Sequence, residues 1–332
     1  MLSLGSAAGA QEVCYKGVNL SGAEYGDKHG ILGTNYIYPT EETVSYFAEK
    51  GMNLVRLPFR WERLQPVFGE ALNTEELNRL HNAVELIRSH GMKVLLDPHN
   101  FGYYDGKRLM TADVPAQAFA NFWIRLAQEF ANQEDIMFGL MNEPYDIPVE
   151  DWLIAANQAI AGIRAVGAEN LILVPGTNWS GASSWQSDRP AGNNGNVMSG
   201  VSDPADNFIY EVHQYMDEDF SGTHETCPQA DLALKGLVDF TGWLKEQGAR
   251  GLLGEFGGSK DPACLAGLTR MVDYMDEASE QWLGWTYWAA GDWWPATEGN
   301  NIQPVEGTDR PQLAAVMQSK PQVGSSHCST LN

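Results

Sequence analysis

Apolar residues in this chain fall into two alternating kinds of run: short and unbroken, then longer and amphipathic. "YKGVNL" (15–20) precedes "TEETVSYFAEKG" (40–51), where Thr40 offers an N-cap and Gly51 a stop. "LVRLPF" precedes "NTEELNRLHNAVELIRSHG", whose apolar positions 77, 80, 84 and 87 line one helical face. The alternation continues with "KVLLDP" before "PAQAFANFWIRLAQEFA", and with "DIMFGLM" before "VEDWLIAANQAIAGIRAVG". "LILVPG" runs into an irregular Gly/Ser/Asn-rich stretch to about residue 206. "FIYEVH" then precedes "ADLALKGLVDFTGWLKEQG", "GLLGEF" precedes "CLAGLTRMVDYMDEAS", and "WLGWTYW" precedes "PQLAAVMQSK".

This pattern predicts eight β-then-α units, the fifth weak in its helix. Continuous apolar strands joined by helices imply a parallel sheet covered on its outside. Eight such units close into a (β/α)8 (TIM) barrel, an α/β fold. An open doubly wound sheet is the alternative, but no G-x-G-x-x-G follows the first strand. No linker or second domain is evident. Residues 1–12 are expected to be an N-terminal stub, residues 13–320 the barrel, and residues 321–332 a flexible tail.

Composition narrows the partners. The 332 residues are 43% hydrophobic, enough for a large core, and carry a net charge of −22. That charge argues against nucleic acid and anionic membranes. Eleven Trp and twelve Tyr exceed what such a core needs, and flat rings can stack on sugar faces. No stretch reaches the roughly 18 apolar residues of a membrane span. The opening "MLSLGSAAGAQE" ends in a small-residue pattern but lacks a basic n-region, and reads as the stub of a signal peptide. The four cysteines (14, 227, 264 and 328) show no C-x-x-C spacing; one or two disulfides, or buried thiols, fit them.

In a (β/α)8 barrel the chemistry sits at the C-terminal ends of the strands. Arg56 lies near the end of strand two, and His99 and Asn100 follow strand three. Strand four ends in Asn142 and Glu143, strand six in His213 and Tyr215, strand seven in Glu255, and strand eight in Trp288. Each has a bland reading: a satisfied core arginine, a turn histidine, a capping carboxylate. Their joint placement at strand ends does not. Two carboxylates facing each other over an aromatic cup suit glycosidic bond cleavage, one donating a proton, the other acting as nucleophile or base.

Rival readings are weaker. A metal-dependent hydrolase could draw on His213, Asp217, Asp219 and His224, but no H-x-H or H-E-x-x-H pairing is present. A non-catalytic sugar-binding barrel would not need both glutamates. A serine hydrolase would need a G-x-S-x-G elbow after a strand.

"LVRLPFRWERLQP", "DPHN", "GLMNEPYD", "VHQYMDEDFSGTHETC", "LLGEFG" and "WTYWAAGDWW" resemble glycoside hydrolase family 5, over roughly residues 14 to 320. The likeness is to the secreted endo-β-1,4-glucanases (cellulases) of subfamily 5. It implies that Glu143 is the acid/base and Glu255 the nucleophile, about 5–5.5 Å apart, with retention at the anomeric carbon. By the same resemblance Asn142 would bond the sugar 2-OH, and Tyr215 and Arg56 would hold Glu255. His99 and His213 would line the cleft, Trp288 would carry a cis peptide bond, and Trp179 and Trp185 would be leaving-group platforms. No cofactor and no metal are implied, and the partner would be a β-glucan polysaccharide met by a secreted monomer. β-Mannan and β-1,3-glucan stay open as substrates. Cys227 and Cys264 precede neighbouring barrel helices and are expected to form a disulfide, as related cellulases have a bridge in this region. Cys14 and Cys328 carry no such expectation.

Overall fold

The computed structural model describes residues 12–321 and residue 328. The expected stub, except for residue 12, and the expected tail, except for residues 321 and 328, lie outside the described residues. Eight parallel strands form a closed barrel: β1 (Tyr15–Leu20), β2 (Leu54–Phe59), β3 (Lys93–Pro98), β4 (Ile136–Gly139), β5 (Ile172–Pro175), β6 (Phe208–His213), β7 (Gly251–Glu255) and β8 (Trp282–Ala290). Each pairs with its sequence neighbours, and β8 closes onto β1.

Among the described residues a helix follows each strand: α1 (Glu41–Glu49), α2 (Thr74–Ser89), α3 (Ala116–Phe130), α4 (Val149–Ala165), the single turn α5 (Asn194–Val197), α6 (Ala230–Gln247), α7 (Pro262–Glu277) and α8 (Pro311–Val316). Thr40 does cap α1, accepting from the Thr43 amide, and Gly51 follows at φ 91°. Asp261 caps α7, with Pro262 in the first turn, where its missing N–H costs nothing. The sequence pattern did not show the helical turn Trp61–Leu64 or the small hairpin of Tyr103–Tyr104 with Lys107–Arg108.

The period of two along each strand sorts the apolar residues. Val55, Val94, Phe138, Val174, Val212 and Leu253 face the helices, in the larger core. Tyr15, Leu54, Leu95, Met137, Leu173, Ile209, Leu252 and Leu283, one from every strand, make a second cluster with Cys14 and Cys328. These eight plug the lower barrel interior. Two residues further along the strands the inward positions turn polar: Arg56, Asp97 and Glu211 are all about 1% exposed or less. The apolar plug therefore supports a buried charged layer at the end where chemistry is expected.

Cys227 and Cys264 are disulfide-bonded, with Cα atoms 5.1 Å apart, as expected. A second bridge joins Cys14 to Cys328 across 314 residues of sequence. Among the described residues, no helix is long and apolar enough to cross a membrane.

Candidate active site

Glu143 and Glu255 meet at the open end of the barrel. One oxygen of each, with a ring nitrogen of His213, all lie within 4.8 Å of one another. Glu143 is reached through "LMN" beyond β4, and its φ of 40° puts it in a region that non-glycine residues rarely adopt. Glu255 ends β7, where the pairing with β6 shifts register: Val212 faces Leu253, but His213 faces Glu255. Such an irregularity re-aims a side chain, here into the barrel.

The two carboxylates are held differently. Glu255 accepts from Arg56 Nη1 at 3.0 Å and from the Tyr215 hydroxyl at 2.9 Å. Its side chain is 6% exposed, whereas that of Glu143 is 15% exposed. Oε1 of Glu143 lies 2.6 Å from His213 Nδ1, and Oε2 of Glu255 lies 3.6 Å from the same nitrogen. Burial raises the Glu255 carboxyl above its ordinary value; His213 and Arg56 oppose that rise, and the nearby Glu143 adds to it. Burial works against the His213 charge, but Glu255 and Glu143 outweigh it and lift the imidazole to about 10. Burial and the charges of Glu255 and Glu143 push the Tyr215 hydroxyl well above its ordinary value, so it serves as a donor.

Arg56 ties this layer together. It is fully buried and reaches Asp97, Glu211 and Glu255, each at 2.8–3.0 Å. Its Nη2 also donates to Asn142 Oδ1 at 2.8 Å. That bond fixes the Asn142 amide and leaves its buried Nδ2 with no hydrogen-bond partner among the described residues. A buried donor left unpaired is costly unless a ligand takes it. His99 stacks on Trp288 at 5.2 Å, and its Nδ1 lies 2.7 Å from Asp97 Oδ2. The Trp288–Ala289 peptide is cis, as expected.

Two cavities flank the pair and share Tyr215 and Ser221. One, of about 530 Å³, is lined by Trp288, Trp294, Tyr25 and Asn300. The other, of about 510 Å³, holds Glu143, Trp179, Phe220 and Arg189. Trp179 is 54% exposed and stacked on Tyr145 at 5.1 Å, a flat apolar platform beside Glu143.

One expectation needs correction. Trp185 does not reach the cleft: it is fully buried and packed edge-on against Tyr210, Phe240 and Trp243, under α6. The Gly/Ser-rich loop turns back on itself there, so the second tryptophan points to the core. Asn100, expected among the substrate-binding and supporting residues, takes a supporting place. Its amide accepts from the Trp61 backbone at 2.8 Å and donates to Glu62, pinning the helical turn Trp61–Leu64. The metal-ligand rival also divides. His213 sits with Glu143 and Glu255, whereas Asp217, Asp219 and His224 cluster in the loop after Tyr215. There the Asp217 oxygens accept from the amides of Gly222, Thr223 and His224, ordering the loop.

Asp97 and Glu211 were not singled out in the sequence, although period-two reasoning reaches them: each stands two residues before a site histidine, so it shares the inward face.

A parallel eight-stranded barrel with paired carboxylates at the ends of β4 and β7, between aromatic cavities, defines a glycoside hydrolase of the (β/α)8 class. The family model for Cellulase (glycosyl hydrolase family 5) matches residues 8–291, and the chain belongs to that family. Endo-beta-1,4-glucanase B of Aspergillus niger is 38% identical over 299 residues, covering 88% of this chain and 86% of its own. The structure of XacCel5A in complex with cellopentaose superposes with a TM-score of 0.90 at 44% identity, covering 92% of this chain and 98% of that one. Pseudomonas stutzeri endoglucanase Cel5A in complex with cellobiose gives 0.84 at 34% identity, with 91% of each chain covered.

Proposed function

We propose that this chain is a retaining endo-β-1,4-glucanase that cuts internal bonds of cellulose and related β-glucans as a single chain, with Glu255 as nucleophile and Glu143 as acid/base. The observation that carries the reading is the short separation of the two carboxylates. Inverting pairs stand roughly 6.5–9.5 Å apart to admit a water, whereas oxygens within 4.8 Å leave room for direct attack. The asymmetry of their surroundings supports this division of roles. Glu255 is gripped and aimed by Arg56 and Tyr215, two donors that favour its anionic form. Glu143 lines the cavity that contains Trp179, where a departing sugar would lie.

Glu255 attacks the anomeric carbon while Glu143 gives its proton to the departing oxygen, breaking the glycosidic bond. A water then attacks the glycosyl–Glu255 ester; Glu143 takes its proton, and the Glu255 carboxylate leaves with the bonding pair. The unpaired Nδ2 of Asn142 is placed to donate to the sugar 2-OH during both steps. A glucan rather than a mannan is supported by relatives such as the endo-beta-1,4-glucanases B of Aspergillus niger and Emericella nidulans, whose names specify that bond. Two disulfides support secretion, because such bonds persist in oxidising compartments.

The test is azide trapping on an activated aryl cellobioside. Glu143→Ala should yield the β-glycosyl azide, because the covalent intermediate still forms, and Glu255→Ala the α-azide. The opposite pairing would exchange the two roles, and an inverted sugar from wild type would remove the mechanism. Product profiles on carboxymethyl-cellulose, mannan and xylan test the substrate.

A further inference from the structure

Glu211 stands two residues before His213 on β6, on the same inward face. It is 1% exposed. Its Oε1 accepts from Arg56 Nε at 2.8 Å and lies 3.4 Å from His213 Nε2. Room for it is made by β7, which offers Gly254 opposite: a Cβ there would lie 2.1 Å from Glu211 Oε1. One layer below, the same face of β6 carries Ile209, so an apolar residue at 211 would simply extend the plug. A buried charge instead is expensive unless its partners repay it. Those partners lead to the reacting carboxylates.

His213 lies between two acids, with Nδ1 at Glu143 Oε1 and Nε2 at Glu211 Oε1. An ionised Glu211 keeps a proton on Nε2, so a second proton on Nδ1 is what meets Glu143. We propose that Glu211 is a positioning residue: it helps hold His213 as the doubly protonated imidazolium facing Glu143, and its own buried negative charge keeps the catalytic proton on Glu143 to higher pH. This rests on the reading of Glu143 as acid/base.

The charged groups around the ring come from five strands or their ends. Arg56 is on β2, Asp97 on β3 with His99 beyond it, Glu143 beyond β4, Glu211 on β6 and Glu255 on β7, whose carboxylate also takes the Tyr215 hydroxyl. With both histidines protonated, three cations face four carboxylates, and one further proton, that of Glu143, balances the layer. Removing the Glu211 charge makes every one of these protons easier to lose.

Glu211→Gln tests this, since it is nearly isosteric and keeps an oxygen for Arg56 Nε. The basic limb of kcat/KM against pH on a cellooligosaccharide should move to lower pH by about one unit or more, the size of effect expected for a charge at this range. On a dinitrophenyl cellobioside, whose leaving group needs no proton, that displacement should shrink. A uniform loss with the basic limb unmoved would overturn the proposal. If Glu211→Gln does not fold, ¹⁵N NMR of wild-type His213 decides: both ring nitrogens should be protonated at pH 7, and a neutral ring refutes the idea. Failure here leaves the azide products of Glu143→Ala unchanged, so it is distinguishable from a wrong assignment of the acid.

Discussion

The ring of Tyr215 rests directly on the backbone of Gly222: a Cβ at position 222 would lie 2.5 Å from two of its ring carbons. Gly222 also has φ 75°, and Asp217 accepts from its amide. Gly222→Ala should therefore strain the backbone by about 1–2 kcal/mol and push the Tyr215 hydroxyl off Glu255. Its kcat should fall toward that of Tyr215→Phe, and combining the two changes should add little. Full additivity in kcat would show that the loop does not act through Tyr215.

Arg56 compensates three buried carboxylates at once, so Arg56→Met should leave them facing one another. A loss of about 3–5 kcal/mol in urea unfolding is expected, the usual result of removing one partner of a buried pair. Lys cannot reproduce the planar fork, so Arg56→Lys should recover only part of it. A variant of wild-type stability would contradict this account of the charged layer.

The two loop tryptophans should separate cleanly. Trp185→Ala empties a core site and should cost about 3–5 kcal/mol of stability. Trp179→Ala, at an exposed platform, should leave the denaturation midpoint nearly unchanged. It should weaken binding of long oligosaccharides while sparing short aryl glycosides. Equal loss on both substrates would make Trp179 structural.

His213 is raised from 6.5 to about 10, so its proton favours the folded state. That contribution is complete below pH 6.5 and fades as pH climbs through 10. Urea unfolding followed from pH 6 to 10.5 should show the decline. Glu255 is the largest of the influences that raise His213, so in Glu255→Gln the decline should begin at lower pH. Identical curves for the two proteins would count against the coupling.

Much of this was legible from sequence because the barrel repeats. Every apolar run but the last contains its strand, and the helix stop Gly51 stands where the pattern places it. The strand ends supplied Arg56, Glu143, His213, Tyr215 and Glu255, because parallel strands deliver all their C-terminal ends to one face. Trp185 was misplaced for the converse reason: "GTNWSGASSW" has no period, and three consecutive positive φ angles at Asn178, Trp179 and Ser180 redirect the chain. The Cys14–Cys328 bond was unreadable, since its partners are distant in sequence and neither adjoins a recognisable motif.

That bond makes the barrel polypeptide a covalent ring, with its seam at the apolar plug, on the face away from the cleft. With Cα atoms 5.6 Å apart at the seam, a short peptide could replace the sulfurs. The chain could then be reopened elsewhere, for instance at the exposed turn of Gly167 between α4 and β5, where nothing stands within 4 Å of an added Cβ. Such a circular permutant would keep every strand-end residue in place while moving the ends of the molecule half-way round the barrel.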